Sequence, residues 1–302
     1  MQANARPSGI HSLEEAKLKL RKIAALATLL AIAATACADE GGGGAGSGGI
    51  AHATGGTDLI LRIETGGGFV PVEYNLTQIP GFSLYGDGRL IRTGAQIEIY
   101  PGPALPPLTQ AQLTEKGVQA ILGAADEAGL LNGDINLGFD LVADAPTTTI
   151  TVGAGGDTHT ASVYALGLEG GEKPQGMSQS DWEARQAIYN FSLLTGDLSW
   201  LPNGSIGEET PFSTDELRIF VRDYQRDPSL HQEAVDWPGQ DLAVFGSEVS
   251  NLEGWRCGSV TGDDLEAVMA LATAANQLTP WDSGAQRYGL LFRPLLPDES
   301  GC

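Results

Sequence analysis

Basic residues are scarce in this chain: 17 Lys and Arg stand against 38 Asp and Glu among 302 residues, a net charge of −21. That deficit argues against nucleic acid and anionic lipid headgroups as partners, because both are held by basic patches. Histidine is scarcer still. Beyond residue 36 only His52, His159 and His231 occur. None has a cysteine or second histidine at metal-ligand spacing, which argues against a zinc site. Neither a Gly-x-Ser-x-Gly elbow, a phosphate-cradling loop nor a dinucleotide fingerprint is present. Long apolar runs are nearly missing. The one that exists, residues 23–36, has 14 uncharged residues, short of the roughly 20 that a permanent transmembrane helix needs.

That run follows Lys17, Lys19, Arg21 and Lys22, so it has the length and basic flank of an export signal. It ends at Ala34-Thr35-Ala36-Cys37, which satisfies a small-x-small cleavage rule. An ordinary secreted protein starting at Cys37 and a permanent N-terminal anchor are two readings of it. The same four residues resemble the lipobox of bacterial lipoproteins, with Ala34 where that family usually has leucine. The resemblance implies removal of residues 1–36, diacylglyceryl attachment at Cys37, and a lipid bilayer as partner on the extracytoplasmic face of the cell membrane. The chain has three cysteines, an odd number that asks for explanation in an exported protein. If Cys37 carries lipid, Cys257 and Cys302 are free to pair in an oxidising compartment. Cleavage before Cys37 would also remove five basic and two acidic residues, leaving 12 basic, 36 acidic and a net charge of −24.

After Cys37, residues 38–57 contain nine glycines among small and polar residues. This composition predicts a flexible tether with a reach of roughly 25 Å. The body divides into a first half at residues 58–175, a helix and connector at 176–211, and a second half at 212–302. In the first half, strands are expected at residues 59–63, 70–76, 82–85, 89–92 and 96–100. Gly86-Asp87-Gly88 forms a hairpin turn between the third and fourth. A helix is expected from Thr114 to about residue 128, with its apolar stripe at Val118, Ile121, Leu122 and Ala125 and a left-handed stop at Gly129. Residues 147–152 and 159–164 read as a hairpin, and Ser180 or Asp181 as the cap of a second helix. In the second half, strands are expected at 217–221, 241–245 and 288–293. A helix capped by Thr261 carries Leu265, Val268, Met269 and Ala272, with Asn276 as its stop. Cap, stripe and stop each lie 147 residues after their counterparts in the first helix. That register fits a degenerate internal duplication, and equally two unrelated helices obeying the same rules. Strands followed by a helix, twice, predict an α+β fold of antiparallel sheets with helices packed on one face.

Two features could bind something. The loop from Asn132 to Asp140 places oxygen side chains at Asn132, Asp134, Asn136 and Asp140, a partial calcium-loop spacing, but Leu137 and Ala143 occupy the positions of the required glycine and glutamate. Trp200, Trp237, Trp255 and Trp281 lie near glycine or proline and could offer an aromatic platform to a protein or carbohydrate partner. Leu84-Tyr85-Gly86-Asp87-Gly88-Arg89 and Phe292-Arg293-Pro294-Leu295-Leu296-Pro297 resemble segments of uncharacterised secreted proteins, which imply no activity. The reading is an envelope binding or scaffolding module without cofactor. An exported hydrolase with an unrecognised site is the alternative.

Overall fold

The computed structural model describes residues 48–139 and 141–302, and these form an α+β fold of four α-helices and two mixed sheets. The first sheet orders β5 (Ile135–Leu137), β7 (Asp157–Tyr164), β6 (Thr147–Ala154), β1 (Leu59–Gly66), β2 (Phe82–Tyr85), β3 (Arg89–Thr93), β4 (Leu108–Gln112) and β8 (Thr210–Pro211). The second orders β10 (Val235–Asp236), β13 (Pro280–Ser283), β14 (Gln286–Pro294), β9 (Glu216–Asp223), β12 (Arg256–Thr261) and β11 (Ser247–Glu248). Pairing is antiparallel except for β5 with β7 and β10 with β13. The helices are α1 (Val72–Thr77), α2 (Glu115–Glu127), α3 (Gln179–Gly196) and α4 (Gly262–Ala272).

Each sheet buries one face under helices. On β6, Thr148, Ile150, Val152 and Ala154 point inward while the alternate threonines do not, the period-two pattern of a half-buried strand. Ile150, Val152 and Ala154 share a core with Val118, Ile121, Leu122 and Ala125 of α2, as the helical spacing predicts, and with Ile188 and Phe191 of α3. Residues 176–211, expected as a helix and connector, contribute to the first core through that helix and through Leu198 and Leu201 after it. In the second sheet, Leu217, Ile219 and Val221 pack under Leu265, Val268 and Ala272 of α4. Gly129 takes the left-handed conformation, and Leu130 N–H reaches back to the Ala125 carbonyl. In the first sheet the leading strand of the β6–β7 hairpin lies beside β1, whereas in the second the trailing strand of β13–β14 lies beside β9.

Several local expectations are corrected. Val70, Val72, Tyr74 and Leu76 alternate like a strand, yet residues 72–77 are helical. Pro71 stands at the N-cap and its carbonyl accepts from Tyr74 N–H, so Val72 and Leu76 share a face at helical spacing. Residues 96–100 are not a strand, and Ile97 and Ile99 are exposed. β4 already occupies the edge of β3, and the following prolines carry the chain to the second core, where Ala104 and Leu105 pack. Residues 241–245 form a turn, because Asp241 Oδ1 captures the Ala243 N–H. Ser178, rather than Ser180 or Asp181, caps α3 by accepting from Asp181 N–H at 3.0 Å. Thr114 and Thr261 occupy N-cap positions without making the side-chain bond. Asn276 is not left-handed; its Oδ1 accepts from Leu278 N–H instead.

Part of the expected tether belongs to the body instead. Ile50 packs against the first core, and Gln119 bridges its N–H and carbonyl at 2.8 Å each. Gly155 N–H donates to the Ala51 carbonyl, and His52 meets Glu115. Residues 48–57 thus belong to the body, while Cys37 and residues 38–47 lie outside the described residues.

One buried cation ties the first core together. Arg185 of α3 is fully buried and pairs with Glu169. It donates to the carbonyls of Leu137, Gly138 and Tyr164 and lies over the Phe139 ring. Removing one partner of a buried ion pair leaves the other charge uncompensated, so Arg185→Leu should lose about 3–5 kcal/mol in chemical denaturation. A loss below about 1 kcal/mol, the range of an exposed pair, would contradict this role.

Candidate binding cleft

The chain ends in a strap, residues 295–302, that touches both sheets. Its start is pinned where Leu295 N–H donates to the Glu216 carbonyl and Thr214 Oγ1 donates to the Leu295 carbonyl. Leu296 then packs against Tyr85 and Ile91 on the face of the first sheet opposite the helices. Arg62 of β1 and the Tyr85 hydroxyl of β2 both donate to Asp298 Oδ1 at 2.7 Å. Arg293 of β14 grips Glu299 through both terminal nitrogens, at 2.6 and 2.8 Å. Arg218 Nε of β9 donates to the Gly301 carbonyl, and Glu216 accepts from Gly301 N–H. Cys302 is disulfide-bonded to Cys257 of β12, with Cα atoms 6.0 Å apart. Three arginines and one covalent bond therefore hold eight residues. The two familiar-looking segments meet here, one supplying Tyr85 and the other Arg293 and Leu296.

Burial and hydrogen bonding oppose each other in these carboxylates. Burial acts to raise the pKa of Asp298, but the bonds from Arg62 and Tyr85 outweigh it and hold the group below its usual range. Glu299 follows the same balance, with Arg293 and the Leu296 N–H prevailing over burial. Burial is the largest cause raising the Tyr85 phenol, with Asp298 adding to it.

Beside the strap, a cleft of about 460 Å³ opens between the two sheets. Glu64 of β1 and Thr147 and Thr149 of β6 line one side; β1 and β6 place Glu64 directly opposite Thr149. Asn75 and Leu76 of α1 and the following Gln78 close another side. Arg218 and Phe220 of β9 and Arg293 of β14 form the third. Arg218 and Arg293 are direct cross-strand partners, an arrangement that like charges disfavour unless each is compensated. Glu299 compensates Arg293, whose Nε also donates to the Gln78 carbonyl. Burial and the neighbouring Arg293 lower the Arg218 pKa, against the pull of Glu299 and Glu216.

The residues singled out from sequence fall elsewhere. Trp237, Trp255 and Trp281 are buried, so they are not an exposed platform. Trp237 and Trp281 stack edge-on with Phe245 and Phe292 inside the second core, and Trp255 lies under Arg222. Trp200 is half-buried and donates to the Leu194 carbonyl. Large aromatics beside glycine and proline here plug loops onto cores. In the acidic loop, Asp134 accepts from Thr160 N–H, and Asn136 sits in the extended β5 rather than in a coiled ligand loop. Asn132 is exposed in a bend, and Asp140 lies outside the described residues. Among the described residues no group of three His, Cys, Asp or Glu side chains is placed to hold a metal. Sequence reasoning missed Arg218 and Arg293. The available signal was a cation at an outward position of an otherwise apolar strand in an acid-rich chain.

The strap predicts a specific pH dependence. Both carboxylates have depressed folded-state pKa values, so their contribution is present above the ordinary carboxylate range and is lost as pH falls through the depressed values. The Asp298→Asn, Glu299→Gln double variant should therefore melt below wild type at pH 7, with the gap closing as the pH falls below the ordinary carboxylate range. A gap independent of pH would contradict the assignment. No family model, curated protein or solved structure matches the chain.

Proposed function

We propose that the protein is a lipid-anchored, extracytoplasmic binding module, attached to the membrane through Cys37 and taking its ligand in the cleft between its sheets. The observation that carries this reading is the pairing of Cys257 with Cys302. It leaves Cys37 as the one cysteine without a disulfide role, at the end of an export-type signal whose small residues suit lipidation. A structural disulfide also belongs to an oxidising compartment, which supports export. Among the described residues no helix is long and apolar enough to cross a membrane. Residues 38–47 are then the linker between lipid and body, and the cleft supplies the converging polar groups of a small-ligand site.

Detergent-phase partitioning tests the anchor. Wild-type protein from a lipidating bacterial host should enter the detergent phase, whereas Cys37→Ala should remain aqueous or accumulate as uncleaved precursor. Wild type recovered from the aqueous phase would contradict lipidation.

A further inference from the structure

We infer that the cleft binds a small ligand through a single carboxylate, with Arg218 as the anchoring cation; this rests on the reading of the cleft as a ligand site. Ten arginines lie among the described residues, and seven have a carboxylate within 4.0 Å. The exceptions are Arg218, Arg226 and Arg256. Arg226 is exposed in a loop, and Arg256 donates to the Phe245 and Gly246 carbonyls. Arg218 alone of the three lines the cleft. Its Nε is committed to Gly301, and its two terminal nitrogens have no hydrogen-bond partner among the described residues. A guanidinium in that state presents a planar pair of donors matched to a carboxylate.

The surroundings limit what carries the carboxylate. Glu64 lies in the same cleft, and Glu216 and Glu299 act on Arg218 from the strap side. A polyanion is therefore repelled. Thr147, Thr149 and Asn75 offer neutral hydrogen-bonding groups, and Phe220 offers an apolar surface. The fitting ligand has one carboxylate on a neutral, hydrogen-bonding body, chemistry shared by a hexuronic acid and by a peptide carboxyl terminus. The cleft volume is in the range of small-ligand sites.

Titration calorimetry at pH 7 with four probes tests this: methyl glucuronide against methyl glucoside, and N-acetyl-alanyl-alanine against its carboxyl-terminal amide. At least one acid should bind, and its neutral partner should bind about ten-fold or more weakly, the scale of a charge-assisted bond. The acid that binds identifies the source. Arg218→Gln, which retains a donor for the Gly301 carbonyl, should abolish the preference at unchanged circular dichroism. Glu64→Gln, which leaves the strap intact, should tighten the acid about two- to five-fold by removing a like charge. Equal binding of acid and neutral partner overturns the carboxylate while leaving the cleft a ligand site. Binding by neither acid, or no weakening in a folded Arg218→Gln protein, overturns the inference, and detergent partitioning judges the membrane anchor independently.

Discussion

The architecture depends on the grip of three arginines on the chain's last eight residues. Arg62 belongs to the first sheet, and Arg218 and Arg293 belong to the second; all three close on the strap between them. Apolar packing builds each core separately, each under its own helices. Polar and ionic contacts then join them, together with apolar links from Leu296, from Leu76 and from the segment that carries Ala104 and Leu105. Such contacts are geometrically selective, because a misplaced strap would leave several partly buried charges unpaired. The disulfide lowers the entropy of the unfolded chain and keeps Cys302 within reach of β12.

The same arrangement explains why a cleft exists. Where the strap passes, arginine and carboxylate neutralise each other. Beyond it, the sheets stand apart and expose Glu64, Thr147, Thr149 and the outer edge of Arg218. A net-negative protein retains one cation there without a carboxylate partner, and the proposed carboxylate site follows from that imbalance. The proposed anchor would hold this cleft near the membrane, since the body begins at residue 48, only eleven residues after Cys37.

The fold class was legible because long elements announce themselves by period. The α2 stripe, the β6–β7 hairpin, β9 and β14 all appear where alternation or helical spacing places them. Short segments were decided by tertiary context. Residues 70–76 alternate like a strand but dock as a helix, with Leu76 against the Phe220 face and Glu73 on Arg222. Residues 96–100 have strand composition, but β4 already occupies the edge of β3. Ile50 lies in a glycine-rich stretch, yet it finds a core and a glutamine that satisfies its backbone. The cleft was illegible because its members span residues 64 to 293, and no local spacing reports that separation. Tryptophans beside turn residues drew attention to the second core instead.

On this account the strap couples the two sheets into one cooperative unit. The direct measurement is equilibrium denaturation in a background where Trp182→Phe and Trp200→Phe remove the emitters of the first half, followed by tryptophan fluorescence, which then reports the second half through Trp237, Trp255 and Trp281, and by far-ultraviolet circular dichroism, which reports both. In that background the full-length chain should give coincident transitions, and a variant ending at Pro294 should give separated ones, with the second core unfolding at a different denaturant concentration from the first. Coincident transitions in both proteins would show that the sheets are coupled without the strap, and would contradict this account.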